Sequence, residues 1–149
     1  MNENVIHTSA DISQENLLVC LEIDRGSSEA ETIDAIRREA LEIARPAGLF
    51  IPFSPELREG EIWLNGVRFR EPFVHKMLSD SQTVVPYIAT CGTEIDDWSK
   101  KFTDPAERAV VDKIMELSLF TMRDCLLDTV KKECFDASKN ISAINPGSL

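Results

Sequence analysis

Two short stretches hold the residue types in this chain best suited to ligand chemistry. Thr90-Cys91-Gly92-Thr93 joins an apolar, β-branched run to a polar, helix-forming one. Such a turn sets small groups and free N–H groups where a strand meets a helix, a place that binds anions or polar ligands. The second stretch is Asn145-Pro146-Gly147-Ser148-Leu149. Pro fixes φ at the first central position of a turn, and Gly takes the positive φ of the second. A chain that has just turned normally enters a next element. The sequence therefore reads as one domain over residues 1–149, C-terminally incomplete, with this loop as its most function-suggestive part.

The other chemistry-bearing residues read as structural. His7, in an N-terminal segment expected to be loose, and His75, on a short helix, have no Cys, Asp or Ser at motif-like spacing. Surface or capping roles follow. No G-x-S-x-G, P-loop or H-E-x-x-H motif occurs, so no catalytic residue is assigned. Two carboxylate pairs stand at i,i+4, Asp112 with Glu116 and Asp124 with Asp128. Di-metal sites on helices add a Glu-x-x-His motif, which is absent, so both pairs read as a solvated face and no metal site is expected. Glu94, Asp96 and Asp97 suit the positive end of a helix dipole. The four cysteines, at 20, 91, 125 and 134, form no CxxC pair. Cys125 and Cys134 fall on opposite sides of a continuous helix, so reduced thiols are expected.

The elements that must position these residues have clear signals. Leu17-Leu18-Val19-Cys20-Leu21 can be helix or strand, and Asp24-Arg25-Gly26 ends it. Ser28 and Glu31 form a capping box that starts a helix with an apolar stripe of Ile33, Ile36, Ala40 and Ile43. Asp34 and Arg38 pair on its wet side, and Pro46 and Gly48 stop it. Leu49–Phe53 reads as a strand. Glu61–Leu64, Asn65-Gly66 and Val67–Arg70 read as a β-hairpin, because Asn-Gly is the preferred pair for a type I′ turn. A short helix follows from Glu71 to Ser79. Thr83–Thr90 is a further strand, with Pro86 marking an edge or bulge. Thr93 caps a short helix bearing Ile95 and Trp98. Asp104-Pro105-Ala106-Glu107 starts a long helix running to about Cys134, with Asp as cap and Pro at N1. Its apolar residues between Ile114 and Leu127 point in most directions, as in a helix buried between other elements. Leu117→Ala is accordingly expected to cost about 2–5 kcal/mol.

The fold class is α+β: a small, largely antiparallel sheet with the hairpin, packed with several helices including a long C-terminal one. Composition is that of a globular domain, 43% hydrophobic and 28% charged. The formal net charge of −10 disfavours nucleic-acid phosphates and anionic membrane surfaces. No apolar run is long enough to span a bilayer and no signal-peptide pattern opens the chain, so the expected address is cytoplasmic.

In order and spacing these pieces resemble the activation domain of cobalamin-dependent methionine synthase and its small stand-alone relatives. The resemblance covers Leu17–Leu21, the helix from Glu29 to Arg45, the run Val85-Pro86-Tyr87-Ile88-Ala89-Thr90-Cys91-Gly92-Thr93-Glu94-Ile95-Asp96, and the long helix leading into Asn145–Leu149. The order of the pieces carries the match; no single motif decides it. The resemblance implies an α+β, C-shaped domain that binds S-adenosylmethionine and presents it to cobalamin oxidised to cob(II)alamin, where reduction coupled to methylation restores the cofactor. Small relatives accompany corrinoid-dependent methyltransferases in anaerobes.

By the same resemblance, Asn145, Pro146, Gly147 and Ser148 are the S-adenosylmethionine-binding candidates, and cobalamin is carried by a partner. That partner is a corrinoid protein or a cobalamin-dependent methyltransferase. The family's loop reads Arg-x-x-Pro-Gly-Tyr. Pro146 and Gly147 match, whereas Ala143 stands in place of the Arg and Ser148 in place of the Tyr. Asn-Pro-Gly-Ser-Leu looks like the version in the small corrinoid-associated relatives. Three readings follow: an accessory domain for reactivation or methyl transfer, a non-catalytic module docking on a corrinoid protein or methyltransferase, and an enzyme whose catalytic residues lie beyond this sequence.

Overall fold

The computed structural model describes residues 4–135 and 141–144. Among them the chain forms five helices and two small antiparallel sheets of three strands each, an α+β fold. The elements run β1 (Asn4–His7), α1 (Gln14–Cys20), α2 (Ser28–Ile43), β2 (Ala47–Phe50), β3 (Glu56–Arg58), β4 (Glu61–Leu64), β5 (Val67–Phe69), α3 (Pro72–Leu78), β6 (Tyr87–Thr90), α4 (Thr93–Ser99) and α5 (Pro105–Cys134). Two compact units emerge. One comprises Val5–Leu49 and Ile88–Asp128; the other comprises Phe50–Tyr87 with the two chain-terminal segments.

In the first unit, the ambiguous Leu17–Leu21 run is helical because both its ends are closed. The Ser13 hydroxyl accepts from the Asn16 N–H at 3.1 Å. At the far end Glu22 takes a φ of 58°, Ile23 N–H donates to Leu18 O and Glu22 N–H to Val19 O, which is the Schellman pattern. Helix α2 begins one residue earlier than the Ser28 capping box requires. The Asp24 side chain accepts from Gly26 N–H at 2.8 Å and its carbonyl from Ser27 N–H. That turn delivers Ser27 as the N-cap and Ser28 as the first helical residue, and no side-chain cap forms. Asp34 pairs with Arg38 at 3.1 Å as expected, and with Arg37 at 2.7 Å. Arg37 in turn ties the helix to the Ile12 carbonyl at 2.9 Å. Leu17, Leu18, Ile33, Ile36, Ala40, Ile95, Val111 and Ile114 meet in one apolar core.

The sheet β1-β2-β6 has β2 at its centre. His7 lies in β1, exposed, rather than in a loose segment. The expected strands Leu49–Phe53 and Thr83–Thr90 are each interrupted by a proline. Pro52 and Pro86 cannot donate to a ladder, so the regular strands end at Phe50 and begin at Tyr87. Beyond them the two segments stay joined by the Ile51 N–H donating to Pro86 O at 3.2 Å and by the antiparallel bridge between Phe53 and Val84. Gly48 in β2 lies hard against α5: a Cβ there would meet Leu126 Cδ1 at 2.7 Å and Met122 Cε at 2.9 Å.

Helix α5 starts and ends as expected. The Asp104 carboxylate accepts from the N–H groups of Ala106 (2.9 Å) and Glu107 (3.1 Å). Asp104→Ala should cost about 1 kcal/mol of stability, read by chemical denaturation, whereas Asp104→Ser should retain most of it. The burial pattern is narrower than expected. Val111, Ile114, Ser118, Met122, Leu126 and Val130 form one buried stripe, while Asp112, Glu116, Phe120, Asp124 and Asp128 form an exposed ridge. The other apolar residues, Leu117 among them, are half-buried flanks. The helix is buried along one stripe and exposed along the opposite ridge, not enclosed all round.

In the second unit, β3, β4 and β5 form an antiparallel meander with Glu56, Trp63 and Arg68 aligned across it. Asn65 (φ 47°) and Gly66 (φ 79°) make the expected type I′ turn. Strand β3 was not foreseen. Its link to β4 is a second two-residue turn with both φ values positive, Glu59 (52°) and Gly60 (80°). Helix α3 lies against β4.

Candidate functional site

The Thr90–Thr93 turn is shaped by packing. Gly92 is the N-cap of α4, with φ 102° and ψ 148°, and Thr93 is the first helical residue rather than the cap. A Cβ on Gly92 would lie 2.8 Å from the Arg45 carbonyl oxygen, so the chain passes here against the backbone after α2. The Gly92 N–H is not free, since it donates to Thr90 Oγ1 at 3.1 Å. Glu94 Oε2 sits 3.0 Å from that Cβ position, and Glu94 and Asp96 supply negative charge in the first turn. Negative side chains at this helix start repel an external anion. Burial pushes the Cys91 thiol up from its ordinary value, which disfavours the nucleophilic thiolate. The expectation of an anion site at this turn is therefore corrected to a structural role.

The four loop candidates, Asn145, Pro146, Gly147 and Ser148, lie outside the described residues. Ala143 is described and exposed. Its methyl group offers no donor to the carboxylate of S-adenosylmethionine. No step is assigned to that ligand.

The helical carboxylates behave as the solvated face expected of them. Asp112 pairs with Arg108 at 2.9 Å, Glu116 with Lys113, and Asp124 with Arg123 at 2.9 Å, all substantially exposed. Among the described residues no group of three His, Cys, Asp or Glu side chains can hold a metal ion. All four cysteines are free. A second polar cluster joins α2 to α4. Glu39 accepts from Trp98 Nε1 at 2.9 Å and from Lys101, whose ammonium lies 5.0 Å from the Trp98 and Phe102 ring centroids. The hydrogen bonds from Lys101 and then Trp98 hold the Glu39 carboxyl below the usual carboxylate range. Every polar group in this cluster has a partner within it, so it reads as a clamp.

The meander carries a cluster of charged and aromatic side chains that the sequence reading missed. The Trp63 ring lies between two guanidinium groups, Arg58 at 5.5 Å and Arg68 at 5.9 Å from its centroid. Each arginine also holds a carboxylate, Arg58 with Glu56 at 2.9 Å and Arg68 with Glu61 at 3.1 Å. Beside them opens a depression of about 290 Å³, lined by Gly60, Glu61, Phe69, Arg70, Pro72 and His75. His75 is half-buried, and its Nε2 is shielded from solvent with no hydrogen-bond partner. A shielded nitrogen left so costs about 1–3 kcal/mol. Arg70 has no carboxylate partner among the described residues. No sequence motif links residues 60, 70 and 75; the unforeseen β3–β4 turn is what places Gly60 beside α3. No protein-family model and no curated protein matches this chain.

Proposed function

We propose that this chain is an accessory module of corrinoid-dependent methyl transfer that acts by docking on a corrinoid protein or a cobalamin-dependent methyltransferase, with cobalamin carried by that partner. The observation that carries the reading is a pair of exposed apolar side chains on the sheet that leads into the Thr90–Thr93 turn. Val5 on β1 is 56% exposed and Ile88 on β6 is 68% exposed, one on each edge strand. Apolar side chains left in water on edge strands are the kind of group a protein partner covers. Among the described residues no helix is long and apolar enough to cross a membrane. Four free thiols accord with the reducing cytoplasm, where we place the chain.

The test is titration of the protein into a purified corrinoid methyl-carrier protein holding cob(II)alamin. Saturable binding is expected, weakened at least about tenfold by Ile88→Asp with an unchanged circular dichroism spectrum. No complex at about 100 μM, or equal binding by the variant, would overturn the docking reading.

Delivery of S-adenosylmethionine is the second reading, favoured by Pro146-Gly147 alone. Lacking the charge-assisted contact of an arginine at Ala143 costs about 1.5–3 kcal/mol, roughly ten- to a hundredfold in affinity. Calorimetry should therefore find S-adenosylmethionine binding weaker than micromolar. Micromolar or tighter binding would restore the reactivation role.

A further inference from the structure

We infer that two copies of this chain associate edge to edge through β3, joining their meanders into one continuous antiparallel sheet across a two-fold axis at Leu57. Backbone geometry makes the first argument. Strand β3 stands at the end of the order β3-β4-β5, and Glu56, Leu57 and Arg58 are all exposed. The Glu59-Gly60 turn has two residues, so Arg58 and Glu61, which flank it, form a hydrogen-bonded pair of the ladder. The alternation makes Glu56 and Trp63 the next such pair. Leu57, between them, turns its N–H and C=O to the open edge. A second Leu57 placed opposite exchanges both hydrogen bonds with it, and that exchange is two-fold symmetric.

Side-chain order makes the second argument. Antiparallel pairing centred on Leu57 sets Glu56 opposite Arg58 of the second copy, and Arg58 opposite its Glu56. These are the non-hydrogen-bonded positions, where facing side chains come closest. Glu56 and Arg58 already pair within the strand, so the contact closes a ring of alternating charges. On the other face Leu57, 65% exposed, meets its own copy, apolar against apolar. The opposite edge of the meander lacks this self-complementarity. The Asn65-Gly66 turn leaves Arg68 facing outward from β5, and the same symmetry would set guanidinium against guanidinium.

Net charge selects the surface. The chain carries −10 overall, whereas Phe50–Tyr87 holds four basic and five acidic residues and is close to neutral. Two meanders therefore meet without the repulsion that the acidic remainder of the chain imposes on a second copy. The strand is three residues long, so the contact is small and the dimer weak and reversible. It is separate from corrinoid docking, since Val5 and Ile88 belong to the other unit.

Sedimentation equilibrium of the full chain, from about 10 μM to about 1 mM, should show a reversible monomer–dimer exchange with a midpoint of roughly 100 μM. Glu56→Arg sets like charges against each other across the axis, as does Arg58→Glu, and each alone should weaken association at least about tenfold. Both changes in one chain restore opposite signs at every facing pair and should restore the dimer. Mixing the two single variants should give a one-to-one heterodimer for the same reason, although both remain strongly acidic. Circular dichroism verifies that each variant keeps the parent fold, and the double exchange tests the pairing even where a single variant loses it. Ile88→Asp should leave the dimer in place. A parent chain that stays monomeric at about 1 mM overturns the proposal. So does a dimer that both single variants retain, one that the double exchange fails to restore, or one that Ile88→Asp abolishes.

Discussion

Gly92→Ala is expected to destabilise the protein by about 3 kcal/mol, lowering Tm by roughly 10 °C. Two costs combine. The backbone at φ 102° and ψ 148° lies in a region that side-chain-bearing residues rarely adopt. The new methyl group would also press on the Arg45 carbonyl at 2.8 Å, a backbone atom fixed at the end of α2 that cannot swing away. Gly48→Ala is the matched control. Its methyl group would come closer still, 2.7 Å from Leu126 Cδ1 and 2.9 Å from Met122 Cε. Those atoms end flexible side chains, so a loss of only about 1 kcal/mol is expected. Thermal and urea unfolding of both variants checks the pair. A Gly92→Ala protein within about 0.5 kcal/mol of the parent would show that the turn after β6 relaxes freely.

Ile114→Ala should cost about 3–4 kcal/mol, because Ile114 is fully buried in the core shared with Leu17, Ile36 and Ile95. The order of effects along α5 is the sharper test. Leu117→Ala, at a half-buried flank, should cost about 1 kcal/mol rather than the 2–5 expected for a fully enclosed site. Phe120→Ala, 40% exposed on the ridge, should change stability by less again. Denaturant midpoints for the three variants measure this. Equal losses at 114 and 117 would mean that the flank is as closely packed as the stripe.

Local signals in the sequence translated well where one residue dictates the backbone. Asn65-Gly66 made its turn, Asp104-Pro105 started α5, and Pro86 marked an edge strand. The failures have two causes: local turns whose residues do not announce them, and packing between distant segments, which no local pattern encodes. Ser28 reads as a cap until the Asp24 turn displaces the helix by one residue. Glu59-Gly60 lacks the Asn or Asp that usually announces a type I′ turn, so β3 and the depression it borders stayed hidden. The apolar residues of α5 scatter around the helix in projection. Only the elements packed against it decide that Ile114, Met122 and Leu126 lie beneath and Phe120 outside. The Thr90–Thr93 turn was located correctly and given the wrong chemistry, because only coordinates show the Gly92 N–H already engaged by Thr90.

The two tryptophans divide between the units. Trp63 sits on the meander between Arg58 and Arg68, and Trp98 sits on α4 with its indole nitrogen on Glu39. Each compact unit thus contains its own intrinsic fluorophore, in a distinct electrostatic setting. Replacing one or the other by Phe converts the emission of the chain into a reporter of a single unit. Transition curves from the two reporters distinguish one cooperative melting event from two successive ones. A ligand that tightens only the meander would then move one curve and leave the other in place.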